Sequence, residues 1–442
     1  MSVYAWTYNL LGNPLGLATL PAWLPYLLCR PKYRRSLARR AGWLPAQDQA
    51  RLRPGQSIWI HAVSVGEFNL AATLIAQLRP RCPGLQFVVS VTTLTGYELA
   101  KTRLTAEDVL IFFPLEFWPV MARMVARVRP RAAVIVETEI WPNFLYALAR
   151  RGIPCVLANG RISQKSFERY RLARPFMRDV LGCFTQCNMQ TEHDAERLRA
   201  LGAPPARVQV AGNIKFDAAR LVATPAPDAS LRTELGVPAD VPVFLAAALD
   251  KTGAEDALMI DVLEQLRRHT PRAALIMVPR HPERGPELAR LVEQRGYLPR
   301  RRSQGAPFAE PLREIFIVDT IGELKRFYTI AHAVFVGKSL CAPGGGQNMI
   351  EPIALGVPTV YGPYTANFRG VADVLLEHGG ARLVRSADEL AATIHELWRE
   401  PAAACAMVQR GQAFIRSQLG ATQRNVESIL AALNLKTRKS ER

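Results

Sequence analysis

The chain of 442 residues has no CxxC pair. Its seven cysteines stand apart, at positions 29, 82, 155, 183, 187, 341 and 405. An odd, scattered set excludes a disulfide framework and points to a reducing compartment. Cys183 and Cys187 lie four apart, but no second ligand pair follows, so no zinc site is expected. Neither half contains a GxGxxG. A complete phosphate loop is missing too. Gly337-Lys338-Ser339 ends like one, but His332 stands where GxxxxGK[ST] requires glycine. Short-period repeats and low-complexity tracts are also absent from the sequence. Acidic residues are scarce, 38 against 56 Lys and Arg, for a net charge of +18. That excess calls for an anionic partner: nucleic acid, an acidic membrane surface or a phosphorylated substrate. The basic residues run along the whole chain rather than forming one block, which argues against nucleic acid.

Charge is missing altogether from residues 1–29, which hold Trp6, Tyr8, Trp23 and Tyr26. RPKYRRSLARR follows at once. A signal peptide carries its positive charges before the apolar run, not after it. The positive-inside rule places the basic segment and everything beyond it in the cytoplasm. The length suits a bilayer span, but Pro14, Pro21 and Pro25 argue as well for a bent or monotopic anchor. Residues 1–30 therefore read as a membrane anchor. Residues 31–56 read as a basic juxtamembrane segment suited to anionic headgroups.

From Ser57 onward, short apolar strands alternate with amphipathic helices, the pattern of a parallel, doubly wound α/β sheet. Residues 57–216 form one such domain. A stretch containing Thr-Pro-Ala-Pro-Asp reads as a linker over 217–235, and the pattern then repeats over 236–435. Two Rossmann-like domains in tandem without GxGxxG fit the GT-B architecture, in which the two face a cleft. Ligands in such sheets bind at the carboxyl ends of the strands.

The richest stretch is VFVGKSLCAPGGGQNMIEPIALGVPTVYGP, residues 334–363. Gly344, Gly345 and Gly346 lack side chains, so their N–H groups are expected to approach a ligand closely. A helix starting near Gln347 would favour an anion at its N-terminus. Asn348 and Glu351 would share that face, with the carboxylate accepting from ribose hydroxyls. The pattern suits a nucleotide; the plainer alternative is a strand-turn-helix with a glycine bend.

In the first domain, Ser64, Gly66 and Glu67 lie where the first strand turns into the first helix. The helix N-terminus is expected to lower the pKa of Glu67 and keep it ionised, as a general base toward a sugar hydroxyl. A helix-capping glutamate is the alternative. Glu137 and Glu139 follow the fourth strand, where carboxylates are expensive to bury; they would hold an acceptor or a basic partner. Arg161, with Ser163, Lys165, Ser166, Arg169 and Tyr170 beyond it, offers donors for carboxylate or phosphate; a solvated basic helix face is the alternative. Lys215 stands at the hinge. Arg280 and His281 end an apolar strand of the second domain and suit a phosphate or a base. His281 and Glu283 lack the further ligands a metal would need.

Taken together, these pieces resemble the Kdo (3-deoxy-D-manno-octulosonic acid) transferases. The matching motifs are SVGE at 64–67, ETEIWPN at 137–143, RIS at 161–163, GNIKFD at 212–217, PRHPER at 279–284, DTIGEL at 319–324, FVGKSL at 335–340, GGQN at 345–348 and EP at 351–352. They keep the family's order over nearly the whole chain. The resemblance implies a GT-B fold and inverting transfer of Kdo from CMP-Kdo to a lipid A precursor. The reaction would take place at the cytoplasmic face of the inner membrane, without metal or cofactor. It makes Glu67 the general base and groups Arg280, His281, Gly345, Gly346, Asn348 and Glu351 around CMP. Lys215 or Lys338 would help to stabilise the departing phosphate. The chain departs from the family's pattern in three places. AAALDKTGAED, residues 246–256, stands where a Ser-Thr-His turn is usual, Lys338 where glycine is common, and Gln347 where histidine is common. These departures fall on the donor side. They leave open a paralogue with a different sugar or acceptor.

Overall fold

The computed structural model describes residues 2–10, 31–217, 229–305, 310 and 313–440. The chain divides into two compact units: Met1–Asp217 with Leu419–Arg442, and Ala218–Gln418.

The first unit holds a seven-stranded sheet of β1 (Ser57–Ala62), β2 (Gln86–Val91), β3 (Val109–Phe112), β4 (Ala132–Val136), β5 (Cys155–Gly160), β6 (Gln186–Met189) and β7 (Val208–Val210). Every pairing is parallel. All residues of β1, β2, β4 and β5 are buried, as continuous apolar runs covered on both faces should be. The spatial order is β3-β2-β1-β4-β5-β6-β7, so the direction of winding reverses between β1 and β4. At such a switch point the loops above the two strands part, leaving a crevice at their carboxyl ends. Hydroxyl caps start the helices that follow: Ser64 accepts from the Glu67 N–H, Thr93 from Gly96 and Thr191 from Asp194.

The last helix, Ala421–Ser440, packs on β4, β5, β6 and the helix Val65–Leu78. Its buried Asn425 accepts through Oδ1 from the Asn159 N–H and from Asn188 Nδ2, both at 3.2 Å. Asp217 accepts from the N–H groups of Gly420 at 2.7 Å and Thr422 at 2.5 Å. The sequence pattern runs the second domain on to residue 435; in the structure this helix instead completes the first unit.

The second unit holds β8 (Val243–Leu249), β9 (Ala274–Pro279), β10 (Leu298–Arg301), β11 (Glu314–Ile317), β12 (Ala333–Val336), β13 (Thr359–Tyr361) and β14 (Arg382–Leu383). These strands are also parallel, in the order β10-β11-β9-β8-β12-β13-β14, with the switch point between β8 and β12. Strand β10, LPRR, lies at an edge with its charges paired: Arg300 to Glu314 at 2.5 Å and Arg301 to Asp319 at 2.7 Å. Part of the expected linker is ordered, since Ala229–Leu235 is helical. Residues 218–228 lie outside the described residues.

Of the expected anchor, only residues 2–10 are described; 11–30 lie outside. Among the described residues, no helix is long and apolar enough to cross a membrane. Residues 3–10 form a helix with Ala5 and Asn9 buried and Val3, Trp6 and Leu10 exposed. Tyr8 stacks on Phe176 at 5.4 Å, and Asn9 Nδ2 donates to Asn143 Oδ1 at 2.7 Å. The basic stretch Pro31–Arg40 is helical.

Candidate active site

Glu67 sits in the first turn of the helix that leaves β1, beside the switch point. Its Oε2 accepts from the Val63 N–H at 2.5 Å, and its Oε1 accepts from the Ser64 hydroxyl at 3.2 Å. This is a cap, so the structural alternative weighed from sequence is partly met. The electrostatics go further. Burial pushes the carboxyl up to about 7, against the pull of the Val63 N–H, and the charges of Glu137 and Glu139 push the same way. The lowering expected from the helix N-terminus does not prevail. Lost hydration and two neighbouring carboxylates outweigh a dipole that acts on a partly buried group.

Those neighbours come from β4, across the switch point. Glu137 takes a left-handed φ of 59°, unusual for a residue with a side chain. Its carboxylate lies 3.6 Å from Arg161 Nε and 3.6 Å from Lys215 Nζ, so it has the basic partners anticipated for it. Burial and Glu137 both raise the Glu139 carboxyl. Thr138 Oγ1 accepts the Arg161 N–H at 2.7 Å, which ties the ends of β4 and β5 together. Gly66 is exposed in the first turn of the helix, beside the Ser64 cap. The predicted residues Ser64, Gly66, Glu67, Glu137, Glu139, Arg161 and Lys215 thus gather at one end of one sheet.

Sequence reasoning missed a buried polar group nearby. His61 on β1 stacks on Phe113 at 3.8 Å, and burial lowers its pKa to about 3, so the ring is neutral. Glu116 accepts the Asn143 N–H at 2.5 Å, and burial pushes its carboxyl up to about 8. Nothing in the local pattern around Glu116 announces that burial.

In the second unit, the turn after β12 is closed on itself. Glu255 is buried and accepts from the N–H groups of Lys338 at 2.6 Å, Ser339 at 2.8 Å and Leu340 at 2.7 Å. Gly344, Gly345 and Gly346 all have positive φ, as three glycines allow. A Cβ on Gly344 would lie 2.2 Å from the Cβ of Tyr364, and one on Gly345 would lie 2.7 Å from Asn367 Nδ2. The Gly345 N–H donates to Tyr364 O at 2.9 Å and the Gly346 N–H to Lys338 O at 2.7 Å. The expectation that these two amides face a ligand is therefore corrected. The glycines are needed because residues 364–367 pass against them.

The helix expected from Gln347 begins later, as Ile350–Ala354, with Asn348 Oδ1 accepting the Ile350 N–H at 3.0 Å. Gln347 is buried and accepts from Arg280 Nη1, which brings those two predicted residues together. Glu351 lies near buried Tyr328 and helps burial to raise that phenol's pKa. His281 Nδ1 lies 3.4 Å from Glu283. Lys338 has φ 61°, and its ammonium lies 3.3 Å from Asp250 Oδ1. Arg284 is almost fully buried, pairs with Asp256 at 2.5 Å and donates to Asp250 O. A separate cavity of about 660 Å³ at the opposite ends of the strands, beside Pro242, His332 and Pro358, holds none of the predicted residues.

Comparison with known proteins fits this geometry. The family model described as 3-Deoxy-D-manno-octulosonic-acid transferase (kdotransferase) matches residues 35–218. The 3-deoxy-D-manno-octulosonic acid transferase of Bordetella pertussis is 32% identical over 381 residues, covering 84% of this chain and 86% of its own. That of Haemophilus influenzae is 31% identical over 414 residues, covering 92% and 95%. Among solved structures, a UDP-GlcNAc 2-epimerase from Neisseria meningitidis aligns with a TM-score of 0.53 at 13% identity, over 85% of this chain and 100% of that one. A glycosyltransferase from Rickettsia africae aligns at 0.52 and 12% identity, over 86% and 99%. At such identities the likeness is one of fold alone. With two parallel α/β domains of the GT-B kind and relatives matched over most of their length, the chain belongs to the 3-deoxy-D-manno-octulosonic acid transferases and is a glycosyltransferase.

Proposed function

We propose that this chain transfers Kdo from CMP-Kdo to a hydroxyl of a lipid A precursor, with Glu67 as general base. One observation carries the catalytic part: a partly buried carboxyl beside Glu137 and Glu139 at a switch point, surroundings that push its pKa up to about 7. A base titrating near the working pH combines a useful ionised fraction with real affinity for the proton. Family membership supports the sugar.

The step balances as a direct displacement. The acceptor oxygen forms a bond to the anomeric carbon while its proton passes to Glu67. The bond from that carbon to the phosphate oxygen breaks, and its electron pair leaves with CMP. Oε1 is the better proton acceptor, because its contact with Ser64 is long and Oε2 is held by the shorter Val63 bond. Gly66 leaves the rim of this turn open. Glu139 joins Glu137 in keeping the base's pKa high, and Arg161 and Lys215 hold Glu137. The donor's tertiary, carboxylated anomeric carbon favours an oxocarbenium-like transition state. Stabilising the departing phosphate is then the second requirement. Arg280, His281, Lys338, Gly344, Gly345, Gly346, Gln347, Asn348 and Glu351 form the nucleotide side in this reading. As written, the step draws on no metal or cofactor.

The acceptor is anionic and lipidic, which suits the +18 charge. Val3, Trp6 and Leu10 are 78%, 63% and 71% exposed on one side of their helix, a face suited to lying in a headgroup layer. We place the enzyme at an anionic membrane surface on that basis, and take the cytoplasmic face of the inner membrane from the family resemblance. Trp6→Glu should reduce flotation with anionic vesicles, and unchanged flotation would count against the placement.

The decisive experiment is mass spectrometry of products from CMP-Kdo and a tetraacylated lipid A precursor. A product heavier by Kdo is expected. An unchanged acceptor beside an active control enzyme would overturn the reading. The departures at 246–256, Lys338 and Gln347 favour a second reading, a GT-B paralogue with another nucleotide sugar or acceptor. Tight UDP binding without CMP binding would select it.

A further inference from the structure

Around the second switch point, five backbone N–H groups near Lys338 are already engaged. The N–H groups of Lys338, Ser339 and Leu340 are taken by Glu255, and those of Gly345 and Gly346 by carbonyls of the same unit. An anion arriving here would find these five donors already engaged. Arg280 is exposed at the end of β9, but its Nη1 is committed to Gln347. Lys338 differs from both. Its main chain is fixed on each side, by Glu255 at its N–H and by the Gly346 N–H at its carbonyl, in a left-handed conformation with φ 61°. Ala248, at the end of the neighbouring strand β8, is also left-handed, with φ 57°. Glycine would adopt the Lys338 conformation without strain, yet the chain has a long cationic side chain there. That side chain is 29% exposed, and its ammonium lies 3.3 Å from Asp250, itself 14% exposed. Arg284 braces the Asp250 segment through Asp250 O and Asp256.

We propose that Lys338 is the side chain that reads an anionic oxygen group of the nucleotide sugar, exchanging Asp250 for the ligand when the donor binds. The proposal rests on the CMP-sugar donor reading above. Two groups of such a donor have this chemistry, the phosphate and the sugar carboxylate. Asp250 keeps the ammonium in place in the free protein, so the cation is already desolvated on one side before the ligand arrives. A strained lysine held by a partly exposed carboxylate is a ligand-binding cation in waiting, whereas a residue needed only for the turn would be glycine.

The test titrates the full chain and its Lys338→Gly and Lys338→Met variants with cytidine, CMP and CMP-Kdo by calorimetry, with no acceptor present. Lys338→Gly should keep or raise the melting temperature, because it relieves a left-handed side chain. It should also weaken CMP-Kdo roughly tenfold or more, as loss of a charge-assisted bond does, and leave cytidine unchanged. Lys338→Met, which keeps most of the bulk, should weaken CMP-Kdo similarly. An equal fall for CMP and CMP-Kdo identifies the phosphate; a fall confined to CMP-Kdo identifies the sugar carboxylate. Binding of both within twofold of wild type in the glycine variant would overturn the proposal. Should the wild type bind UDP and not CMP, the donor reading fails by itself, and the titration repeated with uridine and UDP still tests Lys338.

Discussion

At the β1/β4 switch point, three carboxylates keep company, and two of them, Glu67 and Glu139, have a raised proton affinity. At the β8/β12 switch point, carboxylates are engaged one by one: Glu255 by backbone N–H groups, Asp250 by Lys338 and Asp256 by Arg284. The two crevices arise from the same winding rule, and left-handed residues stand near both: Glu137 after β4 and Asn159 in β5 in the first unit, Ala248 in β8 and Lys338 after β12 in the second. Topology therefore supplies the place, and the pairing of charges decides the chemistry. Carboxylates crowded together, with cations against Glu137 but Glu67 held by Val63 and Ser64, make a site that handles protons. Balanced ones make a rigid, neutralised turn on which a single cation can be aimed.

Three substitutions would break or sharpen that contrast. The largest effect is expected for Glu67→Gln, which removes the proton acceptor with little change in shape. Transfer should fall roughly 10²–10⁴-fold in a single-turnover assay, while CMP binding by calorimetry stays as in wild type. Parallel loss of CMP binding would show that the carboxylate serves both crevices and would end the division of roles. Next comes Gly345→Ala in the second unit. Its φ of 132° and a Cβ position 2.7 Å from Asn367 Nδ2 predict a loss of about 1–3 kcal/mol in denaturant unfolding. CMP binding should weaken with it, and the pH profile of the remaining activity should not move.

The smallest effect is the most specific. Glu67 must be ionised to act, so kcat/KM should rise with pH through about 7, its raised pKa. Glu137→Gln removes one of the charges that raise it and leaves the charges of Arg161 and Lys215 without that carboxylate against them, which favours ionised Glu67. Both changes act in the same direction. The acid limb should move down by roughly half a unit to one unit. A limb that stays put would mean that Glu137 has no part in setting the base.

Much of this arrangement is legible in the sequence, for reasons that differ by region. Strands such as AAVIV and VFLAAAL are continuous apolar runs, and their alternation with helices leaves little choice of fold class. Strand β10 escapes because LPRR has no apolar pattern; it exists through pairing with β11 and through Glu314 and Asp319. The cluster at Glu67, Glu137, Arg161 and Lys215 is found because its members all end strands or turns of one sheet. The direction of the Glu67 shift is not, since it depends on burial and on carboxylates 70 and 72 residues away in sequence. The glycine turn misleads in a different way. Three glycines announce a close approach without naming what approaches, and here it is the segment 364–367 of the same chain. Glu255 is invisible for a similar reason, because a carboxylate that fills a backbone nest 83 residues ahead leaves no local mark.

The return of Ala421–Ser440 to the first unit bears on how the molecule is made. During synthesis the whole first sheet emerges well before the segment that covers β4, β5 and β6. Until then Asn188 and the main chain at Asn159 lack Asn425, and Asp217 lacks Gly420 and Thr422. The nascent first unit must wait, unfinished, while the entire second unit is translated. Cutting the chain at residue 217 should therefore yield a destabilised first half. Adding a peptide of residues 419–442 should restore protection of the Asn159 amide in hydrogen exchange; a fragment fully protected without it would show that the last helix is a passenger. A C-terminal truncation would then injure the half of the enzyme that was synthesised first.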